Sequence, residues 1–148
     1  MTQKIIAIAV SAIGATAMLA IASPAAHADC QWAPISPLIS INSAGGIPIF
    51  MDVADGHFTR GTFTSNASNV YQGPASGGVA PGSNNVNFES TFSALSANYA
   101  GAGSNDPLSY HSTFTGTVNP DGSASGTVLD DKGATKPWSA GAGSFTCA

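Results

Sequence analysis

Residues 108–118 read Leu-Ser-Tyr-His-Ser-Thr-Phe-Thr-Gly-Thr-Val, and no other stretch restricts the fold as tightly. Even positions are mostly apolar, and odd positions are Ser, His and Thr. A period of two means a strand with one dry face and one wet face, as in an antiparallel sheet. Asn119-Pro120-Asp121-Gly122 follows. Pro120 and Asp121 suit the right-handed positions of a type I turn. Gly122 suits the left-handed position that closes a bulged hairpin loop. That loop sets the register: Val118 opposite Ala124, Gly116 opposite Gly126, Phe114 opposite Val128. All six then face the core. Turn chemistry and apolar pattern agree, which is expected of a foldable sequence. The Gly116–Gly126 pair leaves a notch. Either a bulky side chain from the opposite sheet fills it, or the sheet bends sharply there.

Other segments carry weaker versions of the same signal. Val86, Phe88 and Phe92 share one face of a strand whose other face holds Asn87, Glu89 and Thr91. Residues 47–51 read as a short strand, placed at an edge because Pro48 cannot donate to a ladder. Residues 52–56 read as a turn and residues 57–64 as the partner strand. Phe58 and Phe63 are five apart, so they share a face only if a bulge lies near Gly61. Trp138 and residues 143–147 form the closing strand. Gly, Ser, Asn and Pro dominate residues 73–85 and 100–107, which read as surface loops. Helix formers are scarce. The fold class is therefore all-β: an antiparallel meander of about seven or eight strands, as a small sandwich or a barrel. Both architectures use the same alternating strands, so the pattern leaves the choice open.

The ends of the chain add a compartment and a staple. Lys4 precedes an apolar run over residues 5–22, then Pro24 and Ala26-His27-Ala28. A basic start, an apolar stretch and a small-residue site make a helical signal peptide over residues 1–28, cut after Ala28. Lipidation at Cys30 is not expected, because His27 and Asp29 occupy positions where a lipobox needs Leu and a small residue. The exported domain runs over residues 29–148, with no second stretch of membrane-spanning length. It holds only 22 Leu, Ile, Val and Phe side chains, a thin core for 120 residues. Small secreted domains with thin cores often rely on a covalent bridge. Cys30 and Cys147, the only two cysteines, supply one. Their pairing makes the terminal strands neighbours, which favours closure of the sheet.

All eight acidic residues lie beyond the leader, against three bases, Arg60, Lys132 and Lys136. Nucleic acid and anionic membrane surfaces need clustered Lys and Arg, so neither is an expected partner. Asp52, Asp55 and His57 are the densest polar cluster and the one candidate metal site. The simpler account of Asp55-Gly56 is a turn. His57 and His111 are the candidate bases of a hydrolase, which would need an acid and a nucleophile beside the ring. His111 stands on the wet face of its strand. Glu89 with Asp106 is a further carboxylate pair. Trp32 and Trp138 flank the cysteines and either complete the core or offer a ligand platform. Asn66-Ala67-Ser68 matches an N-glycan acceptor pattern. No phosphate loop, dinucleotide fingerprint, zinc spacing or nucleophile elbow occurs, so no cofactor is expected.

The leader ending in Pro24-Ala25-Ala26-His27-Ala28-Asp29, and the hairpin Phe-x-Gly-x-Val-x-x-Asp-Gly-x-x-x-Gly over Phe114 to Gly126, resemble those of small secreted proteins of mycobacteria and related actinobacteria. The resemblance implies export and a β fold. It carries no activity over to particular residues. The expected role is non-enzymatic: binding or structural, at the cell envelope or outside the cell. The first rival is a carrier holding a small apolar ligand in a barrel, with room made by Gly116, Ala124 and Gly126. The second is a hydrolase using His57 or His111.

Overall fold

A computed structural model describes residues 30–43, 45–95 and 107–148. The signal peptide expected over residues 1–28, residues 100–106 and Asp106 of the Glu89–Asp106 pair lie outside the described residues. Gln31–Ala148 is one compact unit. The described strands are β1 (Trp32–Pro34), β2 (Leu38–Ser43), β3 (Pro48–Ala54), β4 (His57–Thr64), β5 (Val70–Val79), β6 (Asn85–Ala94), β7 (Ser109–Val118), β8 (Ala124–Asp130), β9 (Thr135–Ala140) and β10 (Phe145–Cys147).

Strands β2 to β9 pair in chain order into a closed eight-stranded barrel. A barrel, rather than a sandwich, is the architecture. β2 closes on β9 through Ile41 opposite Ala140, Asn42 opposite Ser139 and Ser43 opposite Trp138. The terminal strands do not make this closure. β1 and β10 form a separate two-stranded sheet, with Trp32 opposite Cys147. Cys30 and Cys147 are disulfide-bonded, so the bridge joins the two ends beside that small sheet.

The hairpin of β7 and β8 has the register its turn demands. Val118 lies opposite Ala124, Gly116 opposite Gly126, and Phe114 opposite Val128. Gly122 takes φ 81° and its N–H donates to the Asn119 carbonyl at 2.9 Å. The Gly116–Gly126 notch is filled by a large side chain from β9. Trp138 stands opposite Gly126, and a Cβ on Gly116 would come within 2.8 Å of its indole. The indole N–H donates to the Thr115 carbonyl at 3.0 Å. A Cβ on Gly126 would run into the Thr115 carbonyl and the Gly116 backbone. That clash is with a ladder and not with a movable side chain. Gly126→Ala is therefore expected to destabilise by about 3 kcal/mol, the upper end of ordinary overpacking. Urea unfolding of the variant against the parent checks this through the midpoint shift.

The expected bulge is present. Asp52 opposes Arg60 while Val53 opposes Phe58, so Thr59 is the extra residue. Phe58 and Phe63 thereby both turn inward, and Phe63 packs edge-on against Phe92 at 5.0 Å.

Three expectations change. Pro48 is not on an edge: β3 pairs with β2 and β4, and Pro48 sits at its first residue, where a missing N–H is tolerated. The turn over residues 52–56 shortens to Asp55 and Gly56, with φ 51° and 76°. Two positive φ values match the type I′ turn that suits the twist of a tight hairpin. Residues 73–79 are not a loop but most of β5, paired with β4 and β6. Glycine is required there by close approach. At Gly73 a Cβ would meet the Thr91 carbonyl of the neighbouring strand.

The interior is a column of rings. Phe58 lies 4.3 Å from Phe88, Phe88 stacks on Phe114 at 4.4 Å, and Trp138 meets Phe114 edge-on at 6.2 Å. One end of the barrel is stoppered by β1 and β10. Trp32, Pro34 and Phe145 are buried there, and Phe145 meets Phe58 at 6.3 Å. The segment before β10 is tied to the β7–β8 turn: Gly143 N–H donates to the Asp121 carbonyl and Phe145 N–H to the Gly122 carbonyl, each at 3.0 Å.

Candidate functional site at the open end of the barrel

At the end opposite the stopper, the inward positions become smaller or polar. β7 offers Ser112 above Phe114, β8 offers Val128 and Asp130, and β9 offers Lys136. The space left is a cavity of about 180 Å³. Phe114 and Val128 line its deeper part, and Ile49, Phe63 and Phe92 line its apolar side. Phe63 is held by Tyr71, stacked on it at 4.9 Å, and by Tyr110 at 5.6 Å. Tyr71 in turn donates its hydroxyl hydrogen to the Pro107 carbonyl at 2.6 Å, fixing the start of the segment that leads into β7.

The polar groups have distinct states. Ser112 is only 9% exposed, and it lines the cavity. Asp130 Oδ1 accepts the backbone N–H groups of Lys132 and Ala134, each at 2.9 Å. The Ala134 N–H is the chief cause holding the Asp130 carboxyl below the usual carboxylate range. The Lys132 N–H and the charges of Lys136 and Lys132 act in the same direction, against a smaller opposing effect of desolvation. Asp130 is therefore an anion at neutral pH, and Lys136 supplies a cation beside it.

No protein-family model matches the chain, and no curated protein or solved structure matches it. The site is read from its own chemistry.

The residues singled out from sequence fall elsewhere. Arg60 Nε donates to Asp52 Oδ2 at 3.2 Å on the outer wall. Asp55 forms the tight turn, and its carbonyl lies 2.8 Å from His57 Nδ1. Among the described residues, no group of three or more His, Cys, Asp or Glu is placed to hold a metal. His111 is on the outer wall, with Thr91 Oγ1 at 3.0 Å from Nδ1 and Glu89 Oε2 at 3.9 Å from Nε2. A hydroxyl, an imidazole and a carboxylate thus stand in a row. The His111 and Glu89 side chains are about half exposed. Thr91 and His111 stand opposite each other in the β6–β7 ladder, as do Glu89 and Thr113. Trp32 and Trp138 are buried in the stopper and the core. Gly116 and Gly126 lie beneath Trp138, so the space in the barrel is not at the small-residue face where it was expected. Ser112, Asp130 and Lys136 escaped notice. Extending the β8 register one further step (Ala124, Gly126, Val128, Asp130) places a carboxylate on the dry phase, and that anomaly was the available signal.

Acid should loosen the turns that these carboxylates organise. Asp121 is held below the usual range first by the Ser123 hydroxyl and then by the Ser123 N–H. A carboxyl depressed on folding stabilises above its unfolded pKa of about 3.9, and that contribution is lost as pH falls through the lower folded value. Asp121→Asn is expected to melt earlier than the parent at pH 7, with the gap closing below about pH 3. Thermal melts at both pH values check the sign.

Proposed function

We propose that the protein is exported and binds a small, largely apolar molecule in the open end of its barrel. One observation carries the reading: a space of about 180 Å³, lined by apolar rings on one side and polar groups on the other, opens at one end of an otherwise packed barrel. Eight-stranded barrels are the size that either fills with side chains or holds one small ligand. The side chains below Phe114 fill this one, and those above it do not. The Cys30–Cys147 bridge fits an oxidising compartment outside the cytoplasm, and the leader over residues 1–28 supports export there. In this reading the chain is a carrier or scavenger, not a catalyst.

Native mass spectrometry of the chain purified from its own host tests the proposal. A bound molecule of small mass, released on denaturation, is expected, together with loss of the leader and of two hydrogens for the disulfide. Val128→Phe places a ring in the cavity and is expected to abolish retention while the barrel still melts cooperatively. Retention undiminished in Val128→Phe would overturn the assignment of the site. An empty parent that also takes up no single-ring compound would overturn the function.

A further inference from the structure

The cavity has two unlike sides, and their arrangement specifies the ligand more closely. In the closed ring of strands, β7 lies across from β3 and β8 across from β4. The β7–β9 side presents Ser112, Asp130 and Lys136, and the facing side presents Ile49 and Phe63. Resting on the binding role above, we infer that the ligand is an uncharged single-ring molecule bearing a hydrogen-bond donor and acceptor on one edge, as in an aromatic amide.

Size sets the first part. An apolar cavity of about 150 Å³ holds one benzene. A space of about 180 Å³ therefore holds one six-membered ring with a short substituent. Phe63 and Ile49 favour an apolar ring on their side.

The polar side sets the second part. Ser112 is the deepest polar residue of the cavity wall, only 9% exposed. Its hydroxyl faces the cavity and can either donate to or accept from an incoming polar group. Asp130 uses only Oδ1 for the turn, and no described residue donates to Oδ2. Asp130 can only accept and Lys136 can only donate. Among the described residues no carboxylate lies within 4 Å of the Lys136 ammonium, the limit at which an ion pair is counted. An anionic ligand would be repelled by Asp130 and a cationic one by Lys136. A neutral group that donates toward the carboxylate and accepts from the ammonium satisfies both, with Ser112 free to serve either way.

Four single-ring probes of similar size separate the possibilities: ethylbenzene, benzoate, benzylamine and benzamide. Each is titrated into the disulfide-bonded chain, with amide chemical shifts of β7–β9 as the readout. Benzamide is expected to bind about tenfold or more tightly than each of the others, the effect of one or two well-placed hydrogen bonds to charged groups. Ser112→Ala should reduce that advantage severalfold, and Lys136→Met should reduce it independently. Ethylbenzene equal to benzamide, or an ion preferred over it, overturns this inference and leaves the binding role standing. An advantage that survives both substitutions also overturns it. If none of the four binds, this inference fails, and the binding role fails with it when the chain purified from its own host is also empty.

Discussion

Replacing Cys30 and Cys147 with serine is expected to produce the largest loss of stability available to a conservative change in this chain. The bridge closes a loop of 117 residues. Restricting an unfolded chain over that span stabilises the folded state by up to about 4–5 kcal/mol, and residual structure in the unfolded chain lowers that figure. The structure makes the loss uneven. β1 and β10 pair only with each other in their sheet, and a two-stranded ribbon alone is marginal in water. Without the bridge, the stopper depends on the buried Trp32, Pro34 and Phe145 and on the bonds from the β7–β8 turn. The serine variant should therefore open first at that end. Trp32 emission should shift to the red before the rings around Trp138 are disturbed, and a Trp138→Phe background isolates the Trp32 signal. A variant that melts at the parent's temperature would show that the end-to-end bond stabilises little.

Trp138→Ala is expected to be the most damaging single truncation in the core, at about 3–5 kcal/mol. Its indole covers Gly116, faces Phe88 at 5.9 Å and Phe114 at 6.2 Å, and donates to the Thr115 carbonyl. Truncation leaves a void and removes a partner from that carbonyl, and both effects act in the same direction. The void cannot be refilled from the facing strands. A Cβ on Gly116 would meet the Ser125 carbonyl, and one on Gly126 would meet the Thr115 carbonyl, whether or not the indole is present. The double variants Trp138→Ala/Gly116→Ala and Trp138→Ala/Gly126→Ala should thus be less stable than Trp138→Ala alone. Urea midpoints decide it, and rescue by either second change would refute the packing described.

What the sequence discloses, and what it hides, follows from where each constraint resides. The β7–β8 hairpin was legible because its alternation and its Asn119-Pro120-Asp121-Gly122 turn are local and agree. The bulge at Thr59 was legible from the five-residue spacing of Phe58 and Phe63. β5 was not legible. Its inward residues near the middle are glycine and alanine, and what demands Gly73 and Gly77 is the backbone of another strand, at Thr91 and at Asn87. Closure was not legible either, because it joins Ile41 to Ala140 across most of the chain. The disulfide was readable from two cysteines and a leader, but it does not determine which strands close the ring. The mouth was the least visible part. Asp130 and Lys136 look like ordinary surface charges until the register of β8 and β9 turns them inward.

The barrel is stoppered at one end and open at the other, which makes it a cul-de-sac. A guest bound as proposed cannot pass through; it must back out by the route it came in. Residence time is then governed by the few side chains at the single doorway, and the tight packing behind Phe114 has little say in it. Any moiety too long for the recess must trail outward into water, where a second molecule could grasp it without the barrel having to open.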